Sequence, residues 1–338
     1  MAMEFDDACL ATEPGPRADM ALRHLALSGA RIRQEGQGAA DLAARFPAGH
    51  RPRGVVALGR GARLLRSILE PSCPSPFVAW PFAGLPGWVG PLDLVIVMAS
   101  EGSEPALVAA TREAVRRGSA VVVVADPAST IAEAAASSSS LLVPTCTSDE
   151  LAAVVEVLTV VHDLGLGPLV VPEQVAAVAD HVAEECSPHR DLSSNPAKDL
   201  ALHLAEAQPL LYGGTVLAAR AGRRIAEALR RHSGRLALAA DAAELEPVLS
   251  AVTERDPFAA PFDRPDLPRP VLVILDEGTE DVDARRGATE LRSLAAAHEV
   301  RVVSITAIES DSPMDRYTSL LLTGLFGATW LGIGLGRL

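Results

Sequence analysis

The chain has 338 residues, of which 49% are hydrophobic and 22% charged, and its formal net charge at pH 7 is −13. This length suffices for two domains of ordinary size, and the composition is typical of globular proteins. The acidic balance and the lack of a Lys/Arg-rich run argue against nucleic acid and anionic membranes as partners. Lys198 is the only lysine, so nearly all positive charge is arginine.

The N-terminal half is predicted to begin with helices and then to alternate between strands and helices. Helices are predicted at Asp19–Arg33 and Ala39–Phe46. Strands are predicted at Val55–Leu58, Phe77–Trp80, Leu94–Met98, Ala120–Ala125 and Leu141–Pro144. A helix after the first strand is predicted to end at Ile68. Three further helices are predicted at about Pro105–Arg117, with Ser103 as its N-cap, at Thr130–Ala136 and at Ser148–Leu164. This alternation predicts a three-layer α/β fold with a parallel sheet.

A second alternation follows a connecting stretch that contains a helix at Pro172–Cys186. Its predicted strands are Pro209–Tyr212, Leu236–Ala240, Val271–Leu275 and Val300–Ile305; a helix runs from the Gly213-Gly214 turn to about Arg231, and Asp256–Pro270 is a loop. The domain prediction is N-terminal helices at 1–50, a first module at 51–165, a helical connector at 166–200 and a second module at 201–338.

The stretch Tyr317–Gly336 contains twenty residues and no charge, which is long enough to span a bilayer. Its five glycines, and Asp315 and Arg316 just before it, favour a buried helix instead. The four cysteines lie far apart without metal-ligand or redox spacing; disulfides stay open, but reduced thiols in a cytoplasmic protein are the simpler interpretation. The acidic segment MAMEFDDACL is not expected to be a signal peptide.

Two segments carry rare Pro, Gly, Trp and Asn residues in a distinctive order. They are LPGWVGPLDLVIVMASEGSEPAL at Leu85–Leu107 and SSNPAKDLALHLAEAQPLLYGG at Ser193–Gly214. With Arg116–Asp126, Val271–Glu277 and Ser312–Leu331, they resemble the bifunctional phosphoglucose/phosphomannose isomerases, which contain two sugar-isomerase (SIS) modules. The resemblance implies two three-layer αβα modules of flavodoxin-like type, a sugar phosphate or related small-molecule ligand, no cofactor and a homodimer.

In the family that the chain resembles, a Ser-x-Ser-Gly-Asn-Thr loop holds the sugar phosphate. The matching ligand-binding candidates here are Ser100, Glu101, Gly102 and Ser103, where Ala99, Glu101 and Glu104 replace hydroxyl residues. A carboxylate about 4 Å from one phosphate charge would cost roughly 4 kcal/mol at an effective dielectric of 20, more than the roughly 0.3–1 kcal/mol that a helix dipole returns. Whether Glu101 faces the ligand or solvent stays open.

Two glycine turns after predicted strands are further ligand-binding candidates, because backbone N–H groups there can face an anion. They comprise Gly59, Arg60 and Gly61 in the first module and Gly213, Gly214 and Thr215 in the second. Arg60 either contacts phosphate or is an ordinary surface arginine. The strand ends also carry Asp126, Asp276 and Glu277. They predict an acidic mouth, which argues against a doubly charged phosphate ester.

Aldose–ketose isomerisation requires a base and a ring-opening group, for which the related family uses a glutamate and a histidine. Arg231 and Pro247 stand at about those positions here, and His232 and Glu246 nearby are weak catalytic candidates. No histidine has metal-ligand spacing, so no metal is expected. Two functions stay open: a non-catalytic SIS protein that binds a carbohydrate phosphate in a regulatory role, or a glucose-6-phosphate/mannose-6-phosphate isomerase, active or much weakened. No basic helix-turn-helix that would suggest a DNA-binding regulator precedes Val55.

Overall fold

A computed structural model describes residues 5–36, 42, 51–100, 102, 104–252 and 269–338. The chain forms two compact units. The first unit comprises residues 27–178 and 312–314, and the second comprises residues 1–26, 179–311 and 315–338. The helix predicted at Ala39–Phe46 falls, except for Leu42, outside the described residues. The module boundaries at residues 50, 165 and 200 stay predictions.

The first unit contains a parallel five-stranded sheet with the order β2-β1-β3-β4-β5. Its strands are β1 (Val55–Gly59), β2 (Phe77–Ala79), β3 (Leu94–Met98), β4 (Ala120–Ala125) and β5 (Ser140–Pro144). This order is that of flavodoxin-like doubly wound sheets. Every residue of β3 and β4 is buried, which explains their uninterrupted apolar sequences.

The second unit contains a parallel four-stranded sheet with the order β7-β6-β8-β9. Its strands are β6 (Ala207–Gly213), β7 (Leu238–Ala239), β8 (Arg269–Asp276) and β9 (Arg301–Thr306). β7 is shorter than predicted because it pairs with β6 at only two positions. Arg269 and Pro270 belong to β8, so the predicted loop is wrong at those two residues; residues 256–268 lie outside the described ranges.

Twelve α-helices occur in the part of the chain that the structure describes. In chain order they are α1 (Pro16–Ala26), α2 (Ser28–Gly36), α3 (Ala62–Leu69), α4 (Pro105–Arg116), α5 (Thr130–Ala134), α6 (Glu150–Asp163), α7 (Pro172–Glu185), α8 (Pro196–Leu204), α9 (Val216–Ser233), α10 (Ala242–Ser250), α11 (Val282–Ala297) and α12 (Pro313–Gly334). The sequence analysis missed α10 and α11.

Three of the differences between the predicted and observed helices have a clear structural cause. The helix predicted at Asp19–Arg33 is two helices, since α1 belongs to the second unit and α2 to the first. Glu104 rather than Ser103 is the N-cap residue of α4, and its side chain makes no capping hydrogen bond. α6 begins after Asp149, whose carboxylate accepts a hydrogen bond from the Ala152 N–H at 2.9 Å, because Ser148 has a φ of +53°.

The uncharged C-terminal stretch forms most of α12, which is buried in the second unit. Its glycines allow neighbouring helices to approach closely: a Cβ at Gly324 would lie 2.3 Å from Ile225, and one at Gly327 would lie 2.5 Å from Leu200. Within the ranges that the structure describes, no helix is both long enough and apolar enough to cross a membrane.

The Asn-Pro-Ala-Lys segment starts α8 and has a structural role. The Asn195 carboxamide oxygen accepts hydrogen bonds from the N–H groups of Ala197 and Lys198, both at 3.0 Å. The Lys198 ammonium is buried, donates to the carbonyls of Pro188 (2.9 Å) and Arg190 (3.0 Å), and lies 4.7 Å from the centre of the Trp330 ring. Burial lowers the pKa of Lys198. The only lysine therefore holds a loop to the core.

Candidate functional site

Each sheet has a point at which its connections diverge. In the first sheet β1 lies between β2 and β3, so the helix after β1 and the helix after β3 lie on opposite faces of the sheet. In the second sheet β6 lies between β7 and β8, and the helices after β6 and β8 are arranged in the same way. Doubly wound sheets bind ligands in the crevice outside the carboxyl ends of such strand pairs. The predicted glycine turns follow β1 and β6, and therefore lie at these two points.

In the first unit, the glycines allow close packing of the β1 turn against β3. Gly59 has a φ of +88°, and a Cβ there would lie 2.1 Å from the Met98 carbonyl oxygen. A Cβ at Gly61 would lie 3.0 Å from Met98 Cε. Arg60 is exposed.

The phosphate-loop candidates after β3 are only partly described. Ser100 is half-buried and Gly102 is exposed, whereas Glu101 and Ser103 lie outside the described residues. Phosphate binding by this loop therefore stays a prediction.

In the second unit, a cavity of about 360 Å³ lies at the carboxyl ends of β6 and β8. Two predicted ligand residues, Gly214 and Thr215, line it. The other lining residues come from the ends of β6 and β8, from the loop after β8 and from α9 and α11: Tyr212, Ala218, Ile274, Leu275, Asp276, Glu277, Gly278, Thr279, Glu280, Ala284, Arg285, Ala288, Thr289 and Arg292.

The Gly-Gly-Thr turn lets the N-terminus of α9 approach the sheet and α11. A Cβ at Gly213 would lie 2.3 Å from the Ala218 backbone, and one at Gly214 would lie 2.8 Å from the Ala284 carbonyl oxygen. The Thr215 hydroxyl accepts a hydrogen bond from the Ala218 N–H at 3.1 Å and donates one to Glu277 Oε2. The turn thus places a helix N-terminus at the cavity.

Charges of both signs surround the cavity. Carboxylates lie at the end of β8 and in the loop after it, at Asp276, Glu277 and Glu280; Arg285 and Arg292 line the same cavity, and Arg316 contacts Glu277. Glu277, whose side chain is 8% exposed, accepts a hydrogen bond from Arg316 Nε at 3.1 Å. Arg285 Nη2 donates to Glu280 Oε2 at 3.0 Å. Helices α11 and α12 thus bring arginines to these carboxylates, and the acidic mouth predicted from the strand ends stays a prediction.

Four cavity-associated residues were missed by sequence reasoning: Tyr212, Arg285, Arg292 and Arg316. Arg285 and Arg292 are seven residues apart, so they share one face of α11. Two arginines at this spacing, in the segment that follows Asp276 and Glu277, were the signal that could have identified Arg285 and Arg292.

The two weak catalytic candidates do not line the cavity. His232 lies at the C-terminal end of α9, seventeen residues and therefore about 25 Å along the axis from Thr215. Burial, and secondarily Arg231, lowers the pKa of His232. Glu246 is exposed on α10. Their assignment as a catalytic pair stays a prediction.

No group of three or more His, Cys, Asp or Glu side chains in the described ranges is arranged to hold a metal ion. The cavity offers a helix N-terminus, arginines, carboxylates and hydroxyls.

Comparisons with known proteins agree with this architecture. Residues 193–336 match the family described as the bacterial phospho-glucose isomerase C-terminal SIS domain. A comparison with curated protein sequences finds no match.

Solved structures show the same fold at low sequence identity. The chain is similar to tagatose-6-phosphate ketose/aldose isomerase from Escherichia coli, with a TM-score of 0.67, 14% identity and 97% of each chain covered. It is similar to the C-terminal domain of glucosamine-fructose-6-phosphate aminotransferase from Francisella tularensis, with a TM-score of 0.60, 9% identity, and 94% of this chain and 96% of that chain covered. A glucose-6-phosphate isomerase-like protein from Thermus thermophilus gives a TM-score of 0.51 at 17% identity over 93% of this chain and 92% of that chain.

These likenesses show two SIS-type αβα modules, as the resemblance implied, and the family match covers the second of them. Residues 193–336 therefore match the bacterial phospho-glucose isomerase C-terminal SIS domain, and the solved structures show that the chain as a whole has the SIS-type fold.

Proposed function

We propose that the protein binds a phosphorylated sugar in the cavity of its second unit and does not isomerise it. The observation that carries this proposal is the coincidence of a helix N-terminus with Arg285 and Arg292 in one cavity of about 360 Å³. Small-molecule sites in proteins have volumes of about 300–1,000 Å³.

The phosphate would lie at the N-terminus of α9. The first N–H groups of a helix have no partner within that helix and carry a partial positive charge. Gly213 and Gly214 keep side chains away from this end, and the two arginines of α11 add full charges beside it. Arginine suits phosphate because its guanidinium group donates two parallel hydrogen bonds.

The sugar would lie against the loop after β8. Asp276 and Glu280 are exposed there, and ionised carboxylates accept hydrogen bonds from sugar hydroxyls. Thr289 adds a hydroxyl oxygen that can accept, since its hydrogen is donated to the Arg285 carbonyl at 2.8 Å. Thr279 adds a hydroxyl that can still donate while it accepts from the Asp281 N–H at 3.1 Å. The cavity therefore combines an anion-binding end with polar groups suited to a polyol.

Two features support binding without isomerisation. Glu277 is held in a structural contact, because its Oε1 accepts a hydrogen bond from Arg316 and its Oε2 accepts one from the Thr215 hydroxyl. His232 lies about 25 Å away along α9. The alternative function, isomerisation of glucose 6-phosphate or mannose 6-phosphate, requires a base elsewhere.

The double variant Arg285→Ala/Arg292→Ala should bind sugar phosphates at least about 10-fold more weakly, since hydrogen bonds to charged groups contribute about 1.5–3 kcal/mol when buried and less at exposed sites. Isothermal titration calorimetry with fructose 6-phosphate, glucose 6-phosphate and mannose 6-phosphate measures this. Arg286→Ala is the matched control, because Arg286 is exposed on the same helix but does not line the cavity.

Two outcomes would contradict the proposal. If the wild-type protein binds none of the three sugar phosphates, the binding role is wrong. If coupled isomerase assays show turnover of a sugar phosphate above background, and the double variant loses this turnover, then the protein is an isomerase. In that case the proposed location of the site is right and the proposed lack of isomerisation is wrong.

The family resemblance and the simple interpretation of the cysteines extend the proposal to a cytoplasmic homodimer. Sedimentation velocity on the full chain should show one species of twice the chain mass, and cell fractionation should recover the protein with cytoplasmic markers. A monomer at micromolar concentration would contradict the dimer.

A further inference from the structure

Tyr212 contributes a hydroxyl to the cavity of the second unit. It is next to last in β6, lines the cavity and is 6% exposed. Its ring packs in the core of this unit with Leu245, Ile274 and Leu291. Its hydroxyl makes no hydrogen bond to any residue that the structure describes. Because the hydroxyl has no protein partner and retains contact with solvent at the cavity, it is available to a ligand.

Gly287 of α11 provides the space for that hydroxyl. A Cβ at position 287 would lie 2.3 Å from Tyr212 Oη and 3.2 Å from its Cζ. A glycine within a helix costs about 1 kcal/mol relative to alanine. A hydroxyl without a protein partner and a mid-helix glycine, which reduces stability, therefore meet at one cavity. Proteins retain such features where function requires them.

We propose that Tyr212 is a ligand-contact residue whose hydroxyl donates a hydrogen bond to an oxygen of the bound sugar, and that it selects phosphorylated sugars that carry this oxygen. This inference rests on the proposed function and assigns the specificity of the same cavity. Selection arises because a bound sugar that lacks the oxygen covers the Tyr212 hydroxyl and leaves it without a hydrogen-bond partner. Such a loss reduces affinity more than the loss of one methylene contact does.

The surroundings of Tyr212 keep its hydroxyl in the donor form. Burial is the largest cause that raises its pKa, and the carboxylates of Glu290 and Asp241 raise it further. The phenol thus stays protonated at neutral pH. A protonated phenol donates one hydrogen bond, which suits a hydroxyl or carbonyl oxygen of a sugar.

Tyr212→Phe tests the inference, because it removes one oxygen and preserves the ring. We expect the affinity for the best-bound hexose 6-phosphate to fall about 10-fold, which corresponds to one net hydrogen bond. The affinity for inorganic phosphate should not change. The melting temperature without ligand should stay the same, since the hydroxyl has no hydrogen bond within the protein to lose. A merely structural role would lower it.

Deoxy analogues of that hexose 6-phosphate identify the sugar oxygen. The wild-type protein should bind the analogue that lacks the contacted oxygen about 10-fold more weakly than the parent sugar, which is the loss expected for Tyr212→Phe. Tyr212→Phe should bind this analogue and the parent sugar equally well. Tyr317→Phe is the control, because Tyr317 is the only other tyrosine and does not line the cavity; it should leave the affinity unchanged.

The outcomes separate this inference from the function on which it rests. If the wild-type protein binds no sugar phosphate, the proposed function fails. If it binds one and Tyr212→Phe binds it equally well, this inference alone is wrong. A loss of melting temperature with the loss of affinity, or a weakened affinity for inorganic phosphate, would also overturn it.

Discussion

Glu156→Gln should stabilise the first unit, and the gain should increase with pH. Glu156 lies on α6 and is 1% exposed, and its Oε2 has no hydrogen-bond partner within the described chain. The neighbouring Glu35 on α2 is also buried and accepts hydrogen bonds from the Thr145 hydroxyl (2.8 Å) and the Thr147 N–H (2.7 Å). Burial, and secondarily Glu35, raises the pKa of Glu156 from 4.5 to about 8. Glutamine retains the shape without the charge.

The pH dependence follows from the proton that the folded protein retains. Between pH 4.5 and about 8, folded Glu156 is protonated whereas the unfolded chain has released this proton. The free energy of unfolding therefore decreases as pH rises through this window and levels off above pH 8. A shift of this size corresponds to at most about 5 kcal/mol, so we expect about 2–4 kcal/mol in favour of the variant at pH 8.5.

Differential scanning calorimetry at pH 5.0 and pH 8.5 measures this effect. The difference in melting temperature between Glu156→Gln and wild type should be small at the lower pH and several degrees at the higher one. Glu133→Gln, which changes an exposed glutamate in the same unit, should leave the melting temperature unchanged at both values. Equal pH dependence of Glu156→Gln and wild type would contradict the prediction.

Arg316→Met should destabilise the second unit by about 3 kcal/mol. Glu277 is buried, and Arg316 is its only ion-pair partner among the described residues. Removal of one member of a buried ion pair leaves the other charge uncompensated, which costs about 3–5 kcal/mol. We expect the lower end of that range, because Arg316 is 22% exposed and Thr215 still donates to Glu277. Sugar phosphates should also bind more weakly, because the carboxylates then outnumber the arginines.

A double-mutant cycle separates the lost charge from the lost packing. Arg316→Met/Glu277→Gln should recover much of the stability that Arg316→Met loses, because no buried charge then lacks a partner. Urea unfolding followed through tryptophan fluorescence measures Arg316→Met, Glu277→Gln and the double variant, in a background with Trp80→Phe and Trp88→Phe so that Trp330, which is buried in the second unit, is the reporter. Arg286→Met controls for the loss of an exposed arginine. If Arg316→Met is as stable as Arg286→Met, the ion pair does not support the site.

The candidate site was predictable in part. The Gly213-Gly214-Thr215 turn was found because glycines after a strand are a local signal of close backbone approach. The arginines were not found, because α11 is rich in alanine and charged residues and has little apolar periodicity. Arg316 is far from Glu277 in sequence, and their contact depends on where α12 packs.

The sequence by itself determined the α/β class and the position of most strands. β3 and β4 were predicted residue for residue, because strands buried on both faces must be continuously apolar between polar turns. Only the tertiary structure decided which charges meet at the cavity and which hydroxyl lacks a partner. Apolar burial leaves a periodic pattern along the chain, whereas ion pairs and unpartnered groups depend on residues from different elements meeting in space, which no local pattern records.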